Sequence, residues 1–230
     1  MFRTLCVLAL LAASPFAFAN TVWKITTLNW PPYTSDQMTN EGNSIQQLRL
    51  LLRQHNIELI VEFYPWQRAM KIAEGSAYLG YFPAWPEEVK TGFVPSKPVS
   101  FSDIGLISMK AEPIKFNSID DLFGRYRIGL IRSYVYPADI EQAMLQHEQN
   151  TYTTLNETML LNMFVYGRFD VAITDPLVLS YIAEKQGIPG LHTQQLLYRR
   201  PLVFGLRDKP DNQANISLLN TILAKAEAER

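Results

Sequence analysis

The stretch Tyr166-Gly-Arg-Phe-Asp-Val-Ala-Ile-Thr-Asp175 constrains this chain more than any other. A helical pattern runs into it from Leu155 and stops at Gly167, as a glycine just past a helix end does. Phe169 to Thr174 then reads as a short buried strand, bounded by Gly on one side and Asp-Pro on the other. Pro176 suits the first turn of a new helix, where its missing N–H costs nothing. Asp175 is therefore expected at the carboxyl end of a strand and the start of a helix, the edge of an α/β sheet at which ligands bind. An acid there suits a cationic group on a small molecule. It equally suits a plain helix cap.

The first nineteen residues read as a removable secretory signal. Arg3 supplies a positive start, Leu5 to Ala13 an apolar core and Ala17-Phe18-Ala19 a small-x-small cleavage site. The apolar run is too short to span a bilayer. Removal takes away Arg3 and no acid, moving the formal charge from -1 to -2, and also takes Cys6, the only cysteine. A chain without thiols has no disulfide, thiol nucleophile or thiolate ligand, and an exported one suits the bacterial periplasm. The remaining length buries a proper core as one large domain or two small lobes. Near-balanced charge gives no footprint for nucleic acid, and no second apolar run spans a membrane.

Taken in order, Trp23 to Leu28 reads as a strand. Asn29-Trp30-Pro31-Pro32-Tyr33-Thr34 follows as a loop stiffened by two prolines. Such a loop can present Trp30 and Tyr33 to a ligand, or fold both rings onto its own lobe. A helix is expected over 45–54, capped by Asn43 or Ser44, and a strand over 57–64. A helix over 65–74 stops at Gly75, and a strand over 77–82 is broken by Pro83-Ala84-Trp85-Pro86. Phe101 to Lys110 is expected to cross between lobes. A short capped helix over 118–124 precedes a strand over 127–131 and the turn Arg132-Ser133-Tyr134. Free N–H groups at such a turn attract anions, and Ser133 adds a hydroxyl. A helix is expected over 137–147, a brief strand over 151–154 and a helix over 177–185. Leu196 to Leu206 is a strand interrupted by Arg199-Arg200-Pro201, the return crossover. A final helix over 212–229 packs back on the first lobe. The units helix–Gly75–strand–Pro loop and helix–Gly167–strand–Asp-Pro echo each other, which suggests two lobes of one plan with facing strand ends.

Together these motifs resemble the family 3 extracellular solute-binding proteins of the amino-acid-binding type. The resemblance is carried by Asn29-Trp-Pro-Pro-Tyr33, Pro65-Trp-Gln-Arg-Ala-Met70, Pro98-Val-Ser-Phe-Ser102, Ile128-Gly-Leu-Ile-Arg-Ser133 and Gly167-Arg-Phe-Asp-Val-Ala-Ile-Thr-Asp175, in that order and spacing. It implies the type II two-lobed periplasmic binding protein fold, each lobe a mixed sheet flanked by helices, with two hinge crossovers that close on a small ligand. Lobe 1 would take 20–105 and 204–230, and lobe 2 would take 106–203. The resemblance implies that Asp175 holds a ligand ammonium, that the turn of Arg132 and Ser133 helps hold a carboxylate, and that Trp30 or Tyr33 stacks on the ligand. The family's carboxylate-gripping arginine follows a Thr-Pro-Glu turn. This chain has Trp85-Pro-Glu-Glu88, with Glu88 where the arginine is expected. Lys90 is near but is no planar fork, and Arg68 is either a substitute or a structural residue on its helix. The cleft is thus expected to lean toward a cation, or toward an aromatic or neutral solute held by Trp85, Phe82 and Trp30.

An enzyme is the rival class, because some relatives of this fold are dehydratases. No Gly-x-Ser-x-Gly elbow is present, and the spacing of His55, His147 and His192 suggests no metal site. Asp170 and Asp175 fall at opposite ends of one strand, roughly 16 Å apart, too far for an acid–base pair. The expectation is a monomeric binding protein without cofactor or metal. Its partner would be an inner-membrane ABC permease or a sensor receptor.

Overall fold

The computed structural model describes residues 21–229. The expected secretory signal lies outside the described residues. Its elements, in chain order, are β1 (Thr21–Thr27), α1 (Asn43–Arg53), β2 (Ile57–Phe63), α2 (Trp66–Ile72), β3 (Gly80–Ala84), β4 (Phe93–Pro95) and β5 (Ser100–Ser108). They continue with α3 (Ile119–Arg125), β6 (Ile128–Ile131), α4 (Ala138–Gln146), β7 (Thr151–Thr154), α5 (Glu157–Val165), β8 (Val171–Thr174), α6 (Pro176–Lys185), β9 (His192–Arg207) and α7 (Gln213–Ala228).

The strands order as β2-β1-β3-β9-β5-β8-β6-β7, with β4 on β9. The echo between the halves is a topological one. In the first half β1 pairs in parallel with β2 and β3. In the second, β6 pairs in parallel with β7 and β8. Each half therefore starts at its central strand, steps outward through one helix and returns inward through another. The antiparallel pair β5–β9 joins them. β5 takes up β8 from Gly105 onward, and β9 takes up β3 from Val203 onward, so both strands pass from one half to the other.

Local signals account for most boundaries. Ser118 caps α3 by accepting the N–H of Asp121. At the end of α5, Gly167 has φ +66°, its N–H reaches the carbonyl of Phe164, and the N–H of Arg168 reaches that of Met163. This is the Schellman arrangement, which needs a residue free to enter left-handed space. Gly75 ends the corresponding stretch of the first half without positive φ, so the two glycines match in position and differ in conformation.

Three expectations are corrected. β3 runs Gly80–Ala84 instead of 77–82, and Pro83 lies inside it. Its pairing with β9 slips between Tyr81 and Ala84, and an irregularity is where a residue without N–H is tolerated. β9 is continuous across Arg199-Arg200-Pro201, because Asp103, Ser102 and Phe101 of β5 pair with those three residues in unbroken register. The cap of α1 is neither Asn43 nor Ser44 but Gly42, as explained below.

One apolar cluster runs through both halves, from Ile25, Leu48 and Phe204 through Ile104 and Leu106 to Ile173 and Val178. A second seats α5 and α6 on the far half through Leu160, Leu161, Phe164, Leu179 and Phe169. α7 buries Ile216, Leu219, Ile222 and Leu223, and Asn220 accepts the N–H of Lys97, which ties it to the first half. The floor under any gap between the halves is therefore apolar and packed, as protein interiors are.

Candidate functional site

The loop after β1 is built to hold two aromatic rings. Trp30 and Thr34 form an isolated bridge, the Thr34 hydroxyl donates to the carbonyl of Leu28 at 2.7 Å, and the rings of Trp30 and Tyr33 stack at 4.7 Å. The loop's carbonyls also terminate α1. Pro32 accepts the N–H of Asn43 at 2.8 Å and Tyr33 accepts that of Ser44 at 3.0 Å. Helix N–H groups satisfied by backbone need no side-chain cap. This close approach requires Gly42, whose φ is +101° and where a Cβ would stand 2.5 Å from the Tyr33 carbonyl oxygen.

Across from this loop stand the carboxyl ends of the second half's parallel strands. Asp175, after β8, is fully buried. Its Oδ1 accepts the N–H groups of Leu177 and Val178 at 2.8 and 3.1 Å, and its Oδ2 accepts the Tyr33 hydroxyl at 2.9 Å. Burial pushes its carboxyl up to about 7, against these three donors. Of the two readings of Asp175, the helix cap is the one these hydrogen bonds carry. Asp175 caps α6 and bridges to the first half, off the wall of the cleft. The same burial, reinforced by Asp175, pushes the Tyr33 hydroxyl far above its usual range.

The acid on the second half's side of the cleft wall is Glu157, the first residue of α5, after β7. Its Oε1 accepts Trp30 Nε1–H at 3.0 Å from the first half and the Tyr134 hydroxyl from the second. Trp30 Nε1 lies 3.0 Å from the Tyr134 oxygen as well. Trp85, after β3, is fixed by donating Nε1–H to Ser102 at 2.9 Å. Trp30, Trp85 and Tyr134 stand nearly perpendicular to one another, at 83° and 84°, with centroids 4.8 to 6.3 Å apart. They form a corner of three aromatic walls.

The cleft at this corner measures about 190 Å³ and opens between the halves. Trp66 and Glu88 complete its first-half wall, and Ser133 lies on the far wall. The Glu88 carboxylate accepts the Trp85 N–H at 2.9 Å, and burial pushes its carboxyl up to about 7. None of the described residues lining the cleft is basic. Arg200 lies with its guanidinium carbon 4.3 Å from the Trp85 ring centre, but it lines a separate crevice, held by Glu87 and the carbonyl of Val135.

Of the residues marked in the sequence, the cleft brings together Trp30, Trp85 and Ser133, while Tyr33 and Asp175 meet beside it. The others sit elsewhere. Phe82 is completely buried against Phe204, because it is an inward residue of β3. Arg68 lies over the Tyr64 ring, and Lys90 reaches Gln67, so neither stands on the wall. Arg132 is exposed and uses its N–H on the carbonyl of Thr154. Sequence reasoning passed over Tyr134, Trp66 and Glu157. A signal for Glu157 was the short parallel strand before it: Glu157 opens α5 two residues past that strand, with Asn156 in the capping place that Asp175 holds on α6.

No protein-family model matches the sequence, and no curated protein matches it. Solved structures do match the fold. A histidine kinase sensor domain with similarity to periplasmic binding proteins aligns over 90% of this chain and 91% of its own, at TM-score 0.68 and 14% identity. An ancestral arginine-binding protein bound to arginine aligns over 90% and 92%, at TM-score 0.69 and 14% identity. An ancestral amino acid-binding protein, a precursor of cyclohexadienyl dehydratase, aligns over 90% of each chain, at TM-score 0.65 and 17% identity. The chain thus has the two-lobed periplasmic-binding-protein fold, and among its described residues no helix is long and apolar enough to cross a membrane.

Proposed function

We propose that this chain is a periplasmic solute-binding protein. It closes on a small polar, cationic or aromatic solute, amino-acid-like or amine, and delivers it to an inner-membrane ABC permease. The observation that carries this reading is the cleft itself. Every wall residue with ligand chemistry follows the carboxyl end of a parallel strand, and both halves contribute. Trp30, Trp85 and Ser133, with Glu88, Tyr134 and Glu157, are the ligand contacts, and Tyr33–Asp175 is the contact that closes beside them. The lobes are 20–105 with 204–230, and 106–203. The change of pairing partners at Gly105 and Val203 supports both hinge positions.

The family's carboxylate-gripping arginine is missing from this chain, in keeping with a cleft wall that carries Glu88. The protein binds without chemistry and as a monomer. A melting-temperature screen over amines, amino acids and aromatic solutes tests the reading, since a ligand of the folded state alone raises the melting point. At least one class should raise it, and Trp85→Ala should abolish the rise. A flat response to every class, with the protein folded, overturns it.

Ligand sensing without transport is the second reading, favoured by the likeness to a sensor domain of the same extent. Pull-down of a permease subunit by the solute-loaded protein supports delivery. Capture of a receptor ectodomain instead supports sensing.

A further inference from the structure

Glu157 is a buried carboxylate with only neutral partners. It is 9% exposed, and both of its donors, the Trp30 indole and the Tyr134 hydroxyl, reach the same oxygen, Oε1. Among the described residues no hydrogen bond reaches Oε2, and no Lys or Arg pairs with this side chain or with Glu88 on the opposite wall. A buried carboxylate without a cation is costly to hold, and the cost is relieved by a positive charge placed beside it. The carboxylate has acceptor capacity left for that charge. The three mutually perpendicular rings at the same corner present π-systems, which attract a positive charge as well. Glu88 adds a second acid, and no described basic residue stands on the wall to receive an anion.

We propose that the solute is a compact organic ammonium without a carboxylate group, its charge held by Glu157 Oε2 within the corner of Trp30, Trp85 and Tyr134, with Glu88 facing it. This rests on the reading of the cleft as the solute site and narrows it to one chemical class. A ligand carboxylate entering the same space meets the Glu157 carboxylate and no fork, and like charges brought together at close range repel. The acid that meets the ammonium is thus Glu157. Asp175 has both oxygens committed to donors of its own chain.

The test uses three probes that differ in one group each. n-Butylammonium carries the charge alone, 1-butanol is its neutral counterpart, and norvaline is butylammonium with a carboxylate on the carbon bearing the nitrogen. Calorimetric titration of the intact chain should rank butylammonium at least about tenfold tighter than each of the other two. Glu157→Gln keeps an acceptor for Trp30 and Tyr134 and should weaken butylammonium by about tenfold or more while leaving 1-butanol unchanged. Norvaline binding as tightly as butylammonium overturns the proposal, and so does 1-butanol binding as tightly. The same is true if none of the three binds. The reading of the cleft survives the first two results if Trp85→Ala abolishes the binding, and fails with the proposal if it does not. The probe series on the unaltered chain decides the matter even if Glu157→Gln does not fold, with Glu88→Gln as the second variant.

Discussion

The Tyr33 hydroxyl donates to Asp175 Oδ2 at 2.9 Å, joining the loop after β1 to the start of α6 across 142 residues of chain. Both groups are buried, so neither has water to fall back on. Tyr33→Phe removes the donor and leaves the carboxyl oxygen unsatisfied, which costs roughly 1–3 kcal/mol. The urea midpoint should fall accordingly. Because the bond joins the two halves, small-angle scattering of this variant should also show a larger radius of gyration. An unchanged midpoint would refute the bond's role.

Asp175 and Glu88 make stability depend on pH in a definite direction. Both are held at about 7 by burial, above the ordinary 3.8 and 4.5. Between pH 4 and 7 the folded chain therefore keeps protons that the unfolded chain has lost. Stability from these groups is full below the unfolded values and declines as pH rises through about 7, by at most about 1.4 kcal/mol per pH unit per group. An acid shifted the other way, Glu62 from 4.5 to about 2, loses its contribution only as pH falls from about 4.5 toward 2. The melting temperature should thus fall from pH 5 to pH 7.5, and Asp175→Asn should flatten that slope. A slope of opposite sign, or one untouched by the substitution, would contradict the placement of these carboxyls.

Gly42 links the fold of the first loop to the shape of the cleft. A side chain there needs a disfavoured φ of +101° and drives a Cβ to 2.5 Å from a backbone oxygen of Tyr33. Gly42→Ala should cost roughly 1–3 kcal/mol as strain. It should also move Trp30 and Tyr33, so that near-ultraviolet circular dichroism changes in the tryptophan region. Retention of both the spectrum and the melting point would show that the loop yields without disturbing the rings.

What was legible in the sequence was local. The halt at Gly167, the cap at Ser118 and the recurrence of helix, glycine and strand depend on a few neighbouring residues, and the structure carries all three. What was not legible depends on distant partners. Pro83 reads as a strand breaker until β9 supplies an irregular pairing that accommodates it. Arg199-Arg200-Pro201 reads as an interruption until β5 pairs across it. Asp175 carries the same sequence signal whether it meets a ligand or Tyr33, and no periodicity distinguishes the two. Glu157 gave the weaker motif because its strand is built of Thr and Tyr and two residues separate it from that strand, yet its side chain is the second half's acid on the cleft wall.

Arg200 sets the position of Trp85 from behind. It is 7% exposed, lies 4.3 Å from the indole centre, and spreads its two terminal nitrogens between Glu87 of the first half and the Val135 carbonyl of the second. A planar fork can stack on a ring and serve two acceptors at once, whereas an ammonium cannot. Arg200→Lys should therefore fail to rescue what Arg200→Met loses. Each should destabilise the fold by roughly 1–3 kcal/mol through the unpaired Val135 carbonyl and the lost stacking. Each should shift Trp85 emission and weaken solute binding in the cleft, although Arg200 reaches the cleft only through the indole and does not itself line it. If Arg200→Lys matches the unaltered chain in stability and emission, charge alone suffices at this position, and the guanidinium has no part in orienting the indole.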